Sequence, residues 1–349
     1  MSSLKNISKG IVGYGTSYVY HYEQNKVAQN ILKVVELQKG KLNSNVKKIC
    51  KEYALDTFGD KKYAPWLYTY SAFAKEFKEG WIPDNFYGEV VVPQLNGDYG
   101  KLGDRNAVIN KIIEESDSLD ICYYVNKLFL NPEYIVLNED KLRSILFSKY
   151  ERVVFKIENS IQGKGIYFFD KNSFDITTIK KLGNGVFQKF IEQHSFFSEF
   201  NKSSVSTIRI TSSSNDNGDI DVRAGFLKFG RKSDTHVKTA SAIKIPINIK
   251  NGKLMEDAYL PNWSTTKQLP DNNISFAGKS IPLFDDCLAE IKKMHRRIPF
   301  VRCVGWDVIV DKNDKIKLIE LNGGHNGIKF HEMVYGPCFK DLNWENLKK

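Results

Sequence analysis

GWDVIVDKNDKIKLIELNGG, residues 305–324, sets two apolar runs around a short polar break. WDVIV and IKLIELN alternate as strands do, and Asn313 with Asp314 supplies the expected turn of an antiparallel hairpin. Pairing about that turn brings Asp307 opposite Glu320. It places Ile309, Leu318 and Asn322 on the acids' face, and Trp306, Val308, Ile319 and Leu321 on the other. An unpaired carboxylate on an inward position is costly. Two carboxylates and an amide oxygen from adjacent strands are hard oxygen donors of the kind Mg²⁺ prefers, so Asp307, Glu320 and Asn322 form a candidate metal set. A surface hairpin with acids on its outer face gives the same pattern, and a one-residue slip would separate the acids.

The chain has 349 residues, 42% of them hydrophobic and 13% aromatic, enough core for two or three packed subdomains. No apolar run reaches the roughly 18 residues of a membrane span, and MSSLKNISKG lacks the apolar stretch of a secretory signal. A cytoplasmic protein without a transmembrane segment is expected. Five cysteines, Cys50, Cys122, Cys287, Cys303 and Cys338, are scattered and never in CxxC spacing, which argues against a disulfide framework or a zinc site. The formal charge of +10 is spread among 41 acids with no basic run. That pattern disfavours nucleic acid and is compatible with phosphates or a polyanionic substrate.

Apolar periodicity in NKVAQNILKVVEL and NVKKICKEYAL predicts two helices separated by GKLNS, with GIVGYG before them as a flexible start. An aromatic-rich segment follows, in which a helix is expected to end near Gly80 and Pro83 before a strand in GEVVVP. VVFKI, SIQGKG and IYFFD read as strand, turn and strand; GVFQKFI, STIRITSSS and DVRAGFLKFG continue the antiparallel pattern. LFDDCLAEIKKMHRRI reads as a helix with Leu283, Leu288, Ile291 and Met294 on one face.

Lys156 closes the strand VVFKI, and Gln162, Gly163, Lys164 and Gly165 lie on the turn after it. Glycines let backbone N–H groups approach phosphate oxygens, and lysine adds a point charge. The spacing is neither GxxxxGK[ST] nor GxGxxG, and by itself QGKG is an ordinary hairpin turn. The order of the pieces is more specific. A strand Lys, a glycine loop, the hinge strand QKFI, an Arg in STIRI, then Asp, Glu and Asn in the closing hairpin resemble the ATP-grasp superfamily. GWIPDNFY, GDRNAV, VVFKIENSIQGKGI, VFQKFIEQHSFFSEFNKSSVSTIRI and the closing hairpin are similar to its branch associated with sugar transfer and polysaccharide biosynthesis.

The resemblance implies an α+β ATP-grasp fold in which two α+β subdomains clamp ATP, preceded by a helical or mixed N-terminal region. The implied division is 1–112 for that region, 113–187 for the central lid subdomain and 188–349 for the C-terminal subdomain with the metal hairpin. It further implies that Lys156 binds the α- and β-phosphates and that residues 162–165 close over the β- and γ-phosphates. Gln188, Lys189, Phe190 and Ile191 would form the hinge against adenine, with Lys189 and Ile191 offering backbone groups. Arg209 would steady the γ-phosphate and the transferring phosphoryl group, and Asp307, Glu320 and Asn322 would hold one or two Mg²⁺ ions. The implied activity is an ADP-forming carboxylate–amine ligase working through an acyl phosphate. Its partners would be a sugar or glycan carboxylate and an amine.

Two departures stand out. Arg105, after Asp104, stands where relatives carry the first phosphate-binding Lys; it binds phosphate as a planar fork rather than a compact charge. After RAGF the sequence RKSDTHVKTASAIKI lacks the relatives' Asp-Asn and paired glycines, which leaves acceptor binding near Asp234, His236 and Lys238 open. His194 is either a ribose contact or a helix cap. His325 and His331 either face the acceptor or are polar loop residues, and HEMVYG lacks the second His of HExxH. Arg223 and Arg231 either clamp a substrate anion or point outward from strands. Phosphoryl transfer to a small molecule without ligation, and a nucleotide-gated binding protein of a glycan-assembly complex, are the alternative functions.

Overall fold

The computed structural model describes residues 2–113, 118–158, 165–232, 236 and 240–347, with side chains from Thr16 onward. The chain forms two compact units: Met1–Gly97 with Asn262–Ser264 and His325–Lys349, and Asp98–Pro261 with Thr265–Gly324.

The first unit is helical. Helix α1 (Ser2–Lys39) buries Ala28, Ile31 and Val35 at helical spacing, and packs on α3 (Ala64–Ala74), which buries Trp66, Leu67 and Tyr70. Between them α2 (Ser44–Phe58) starts where Asn43 accepts from the Asn45 amide and stops at Gly59, whose φ of 77° supplies the left-handed terminus. The two expected helices are present, but α1 also runs back through GIVGYG, which is helical and not a loose leader. GEVVVP is not a strand either. After α4 (Asp84–Phe86) the backbone widens into a π-turn over Tyr87–Val91 and continues as α5 (Val92–Leu95). The β-branched run is overruled by packing, because Tyr87, Val90 and Val91 are buried together there. Gly88 has no room for a side chain: a Cβ would lie 2.1 Å from the Tyr20 hydroxyl.

The second unit holds two antiparallel sheets. The smaller comprises β1 (Asp120–Val125), β2 (Leu128–Leu130), β3 (Arg152–Ile157), β4 (Ile166–Asp170) and β5 (Gly185–Lys189), in the order β2-β1-β5-β3-β4. Helix α6 (Asn106–Ile113) precedes it. Two more, α7 (Glu139–Phe147) and α8 (Ile176–Leu182), give Leu142, Leu146 and Ile179 to a core with Val153, Phe155, Phe169 and Phe187. The larger sheet follows the short helix α9 (Ser195–Phe200). Its strands are β6 (Thr207–Ser214), β7 (Ile220–Phe229), β8 (Ile243–Pro246), β9 (Ala258–Tyr259), β10 (Thr265–Thr266), β11 (Cys303–Val310) and β12 (Ile316–Asn322), ordered β10-β9-β8-β7-β6-β11-β12. Helix α10 (Phe284–Arg296) buries Cys287, Ile291 and Met294 in a core with Ile208, Leu227, Trp306 and Val308. The chain then returns to the first unit through α11 (Lys329–Tyr335). All five cysteines are free, and four are buried. Among the described residues no helix is long and apolar enough to cross a membrane.

The closing hairpin pairs Asp307 with Glu320, as its sequence suggests, but by a different route. The ladder runs Gly305–Asn322, Trp306–Leu321, Asp307–Glu320 and then Val308–Leu318, so Ile319 is an extra residue in β12. Nearer the turn the register is offset by one, and Asp314 takes a φ of 60° there. The bulge cancels the offset. As a result Leu318 joins Val308 in the core instead of sharing the acids' face, and Lys317 becomes the partner of Ile309.

Candidate active site

Strand pairing places Glu320, Asp307 and Arg209 side by side across β12, β11 and β6. The Arg209 guanidinium grips Asp307 with both arms, Nε to Oδ1 at 2.6 Å and Nη2 to Oδ2 at 2.8 Å. Lys228, on the same face of β7 two residues beyond Arg209's partner Phe226, adds its Nζ to Asp307 Oδ2 at 2.7 Å. Asp307 is 2% exposed. Burial by itself would raise its carboxyl, but the charges of Arg209 and Lys228 outweigh that and hold it well below the usual carboxylate range. Burial lowers the Lys228 ammonium despite Asp307, whereas Asp307 raises the Arg209 guanidinium against burial.

Glu320 differs from its neighbour. Its side chain reaches solvent, yet it lies close enough to Asp307, Arg209, Lys228 and Lys156 to feel all four charges. Desolvation and then the Asp307 carboxylate push its carboxyl up, opposed by the three cations; because water reaches it, screening moderates the push. Asn322 donates from Nδ2 to the Gly305 carbonyl at 3.3 Å, which turns its amide oxygen to the other side. These three residues fit a divalent cation chemically, with two carboxylates and an amide oxygen at neighbouring strand positions. Glu320 is the accessible carboxylate, while both oxygens of Asp307 are held by cations. Among the described residues no group of three or more His, Cys, Asp and Glu is arranged for a metal.

The smaller sheet contributes Lys156, whose Nζ donates to the carbonyl of the bulge residue Ile319 at 3.2 Å. A bulge leaves a carbonyl out of the ladder, and this one takes the lysine. Beyond Lys156, Arg105 Nη1 lies 3.7 Å from Glu158 Oε2, so Arg105 sits beside the same strand end. Burial raises the Glu158 carboxyl, and Arg105 opposes it. Gly165 accepts from the Ile157 amide at 2.9 Å and closes the β3–β4 ladder. Gln162, Gly163 and Lys164 lie outside the described residues, as does Lys238.

The hinge segment leaves β5 after Lys189. Gln188 is buried and donates to Asp120 Oδ1 at 2.8 Å; Asp120 also accepts from Asn110 at 2.6 Å and Tyr123 at 2.8 Å. The Lys189 amide donates to the Leu119 carbonyl, so a base contact from Lys189 would have to use its carbonyl oxygen. Phe190 is exposed, with the Arg152 guanidinium 5.1 Å over its ring, and Ile191 follows outside the strand. His194 caps α9: its Nδ1 accepts from the Phe196 amide at 3.0 Å.

The other candidates are placed elsewhere. Arg223 is the extra residue of a bulge in β7 and donates to Ser213 Oγ at 2.7 Å. Arg231 makes a forked pair with Asp271. His236 lies 6.2 Å, ring to ring, from Phe168. His325 and His331 belong to the helical unit, where His325 Nε2 meets the Asp84 carbonyl at 3.2 Å and His331 is buried in α11. Sequence reasoning missed Lys228 and the Asp120 network. Pairing Arg209 with Phe226 would have found Lys228, but the bulge at Arg223 hides that register.

Residues 175–347 match the family described as sugar-transfer associated ATP-grasp. Comparison with curated proteins gives no match. Solved structures similar to this chain include an N5-carboxyaminoimidazole synthetase from Staphylococcus aureus complexed with ADP, at 12% identity over 69% of this chain and 51% of that one, TM-score 0.40. An L-amino acid ligase from Bacillus licheniformis has 12% identity over 80% and 52%, TM-score 0.38. The ATP-grasp ligase PsnB with a minimal precursor has 10% identity over 71% and 62%, TM-score 0.41. The chain spans about half the length of the first of the solved structures it matches. Over residues 175–347 the chain matches the sugar-transfer associated ATP-grasp family, and its ordered Lys, hinge, Arg, Asp, Glu and Asn on two antiparallel sheets resemble the ATP-grasp superfamily.

Proposed function

We propose that the protein is an ATP-dependent, ADP-forming carboxylate–amine ligase that joins an amino acid or other amine to a sugar acid or glycan precursor in surface polysaccharide biosynthesis. The observation that carries this reading is the row Glu320, Asp307, Arg209, with Lys156 reaching the bulge carbonyl beside it. Phosphoryl transfer asks a protein mainly for positioning and charge neutralisation, and this row supplies both signs of charge on a rigid sheet. In the reaction, a substrate carboxylate oxygen bonds to the γ-phosphorus and ADP leaves. The amine then bonds to the acyl carbon, phosphate leaves, and the amine's proton passes to solvent or phosphate.

Lys156 and Arg105 are the proposed phosphate ligands from the smaller sheet and its approach, together with residues 162–165. Gln188 to Ile191 form the proposed adenine edge, with His194 beside the ribose. Arg209 is the proposed partner of the transferring phosphoryl group. Asp307, Glu320 and Asn322 would hold Mg²⁺, which when bound neutralises phosphate charge. Arg209 and Lys228 keep Asp307 ionised but occupy both of its oxygens, so a metal ion bound there would share Asp307 with them or displace one of them. The sugar context rests on the description of the matching family, and the substrates of the similar solved structures are said of those proteins alone.

ADP release measured with ATP, Mg²⁺, uronic acids and amino acids tests the reading. Turnover is expected with at least one carboxylate–amine pair and should fall by about 10²–10³-fold in Glu320→Ala. No ADP release across the panel, or undiminished release in the variant, would sink it. A stable phosphorylated product without consumption of amine would replace ligation by simple phosphotransfer.

A further inference from the structure

The helical unit contains a cleft of about 550 Å³ along α1, within the size range of small-molecule sites. Tyr18, Tyr22, Asn25 and Gln29 line it from one stripe of the helix, at three- and four-residue spacing. Asp60 and Lys62 face them from the short 3-10 turn over Lys61–Tyr63, which Asp60 caps. The two tyrosines are 68% and 57% exposed, large rings spent on a solvent-facing stripe that packs no core.

Behind this lining the wall is fixed. Glu89 accepts from Ser17 Oγ at 2.9 Å and from Tyr63 OH at 2.5 Å, and pairs with His21 Nε2 at 2.8 Å and Lys62 Nζ at 3.2 Å. On its other side His21 Nδ1 meets Asn85 Nδ2 at 3.1 Å, a buried residue that also donates to the Lys62 carbonyl. Asp60 accepts from the Lys62 amide at 2.9 Å. Helix α1, the 60–63 turn and the 85–89 segment are therefore pinned around one carboxylate, and the cleft is preorganised.

The lining is chemically mixed in a particular way. Flat phenol rings with polar tips stand beside two primary amides, one carboxylate and ammonium groups. No glycine-rich phosphate cradle is present at the cleft, and the acids Asp60 and Glu89 next to its lysines disfavour a polyphosphate. An apolar peptide side chain would find no greasy floor. A pyranose fits: its C–H face lies on an aromatic ring, and its hydroxyls, donors and acceptors at once, take planar amides and carboxylates.

We infer that this cleft is a saccharide-binding subsite with Tyr18 and Tyr22 as stacking platforms and Asn25, Gln29 and Asp60 as hydroxyl partners. It goes beyond the proposed ligase chemistry by giving the glycan acceptor a place in the helical unit. Its relevance to catalysis rests on that reading, whereas binding itself does not.

Saturation-transfer NMR on the full chain without nucleotide, using glucuronic acid, glucosamine, glucose and their disaccharides as probes, tests the inference. At least one saccharide should receive saturation, with affinity weakened on the order of tenfold in Tyr18→Ala/Tyr22→Ala and unchanged in Glu320→Ala. Both tyrosines are exposed, so the double variant should keep the thermal midpoint of the parent, and Asn25→Ala provides a second variant if it does not. Absence of saturation for every probe, or transfer undiminished in both cleft variants, would overturn it. Since no ATP is present, ligase turnover can fail while the subsite stands, and the reverse.

Discussion

Asp307 holds two cations with one carboxylate, and that arrangement has a cost if the charge is removed. In Asp307→Asn the Arg209 guanidinium and the Lys228 ammonium would face a neutral amide and each other in a buried place. Breaking a buried pair from one side costs about 3–5 kcal/mol, so the urea midpoint should drop accordingly. A loss below about 1 kcal/mol would mean that Lys228 simply swings into water. Glu320→Gln should behave differently, with little change in stability, because its carboxyl reaches solvent and burial plus Asp307 already disfavour its charge. The two acids of one hairpin thus differ: Asp307 is a buried counter-ion held by two cations, and Glu320 is a carboxylate that water reaches.

At the scale of elements, α10 is tied to the larger sheet by one buried imidazole. His295 Nδ1 meets Ser212 Oγ at 2.8 Å, its Nε2 meets the Val301 carbonyl at 2.8 Å, and Trp306 Nε1 donates to the same serine. The carbonyl can only accept, so His295 carries a proton on Nε2, and burial disfavours a second proton on Nδ1. Burial pushes its pKa down to about 4. The unfolded chain takes up a proton near pH 6.5 and the folded one only near pH 4, so stability is complete above the higher value and falls as pH drops between them. The expected loss approaches about 3 kcal/mol. Urea midpoints recorded from pH 7 to pH 4 should fall in the parent and flatten in His295→Gln; equal slopes would remove His295 as the cause.

For the whole molecule, the relevant quantity is what nucleotide and metal add to a marginal balance. A ligand that binds only the folded chain stabilises it by about 2.7 kcal/mol at a hundred times its Kd. MgADP should therefore raise the thermal midpoint of the parent, and EDTA should remove most of that gain. In Lys156→Ala the shift should shrink, since the lysine that reaches Ile319 is also the proposed phosphate ligand. An equal shift in parent and variant would take Lys156 out of the nucleotide site.

The sequence by itself determined the antiparallel strands, the hairpin and the facing of Asp307 by Glu320, because period-two alternation and turn residues act over a few positions. Its ordered Lys, Arg, Asp, Glu and Asn also pointed to the superfamily. Tertiary structure decided what those local patterns cannot encode. The bulge at Ile319 sent Leu318 inward and gave Lys156 its carbonyl. Lys228 joined Asp307 through a register set by a second bulge, at Arg223. The valine-rich 87–95 segment became helical because Tyr87, Val90 and Val91 found a helical core around them. In each case the deciding energy comes from residues distant in the chain, brought together only when the sheets and helices pack.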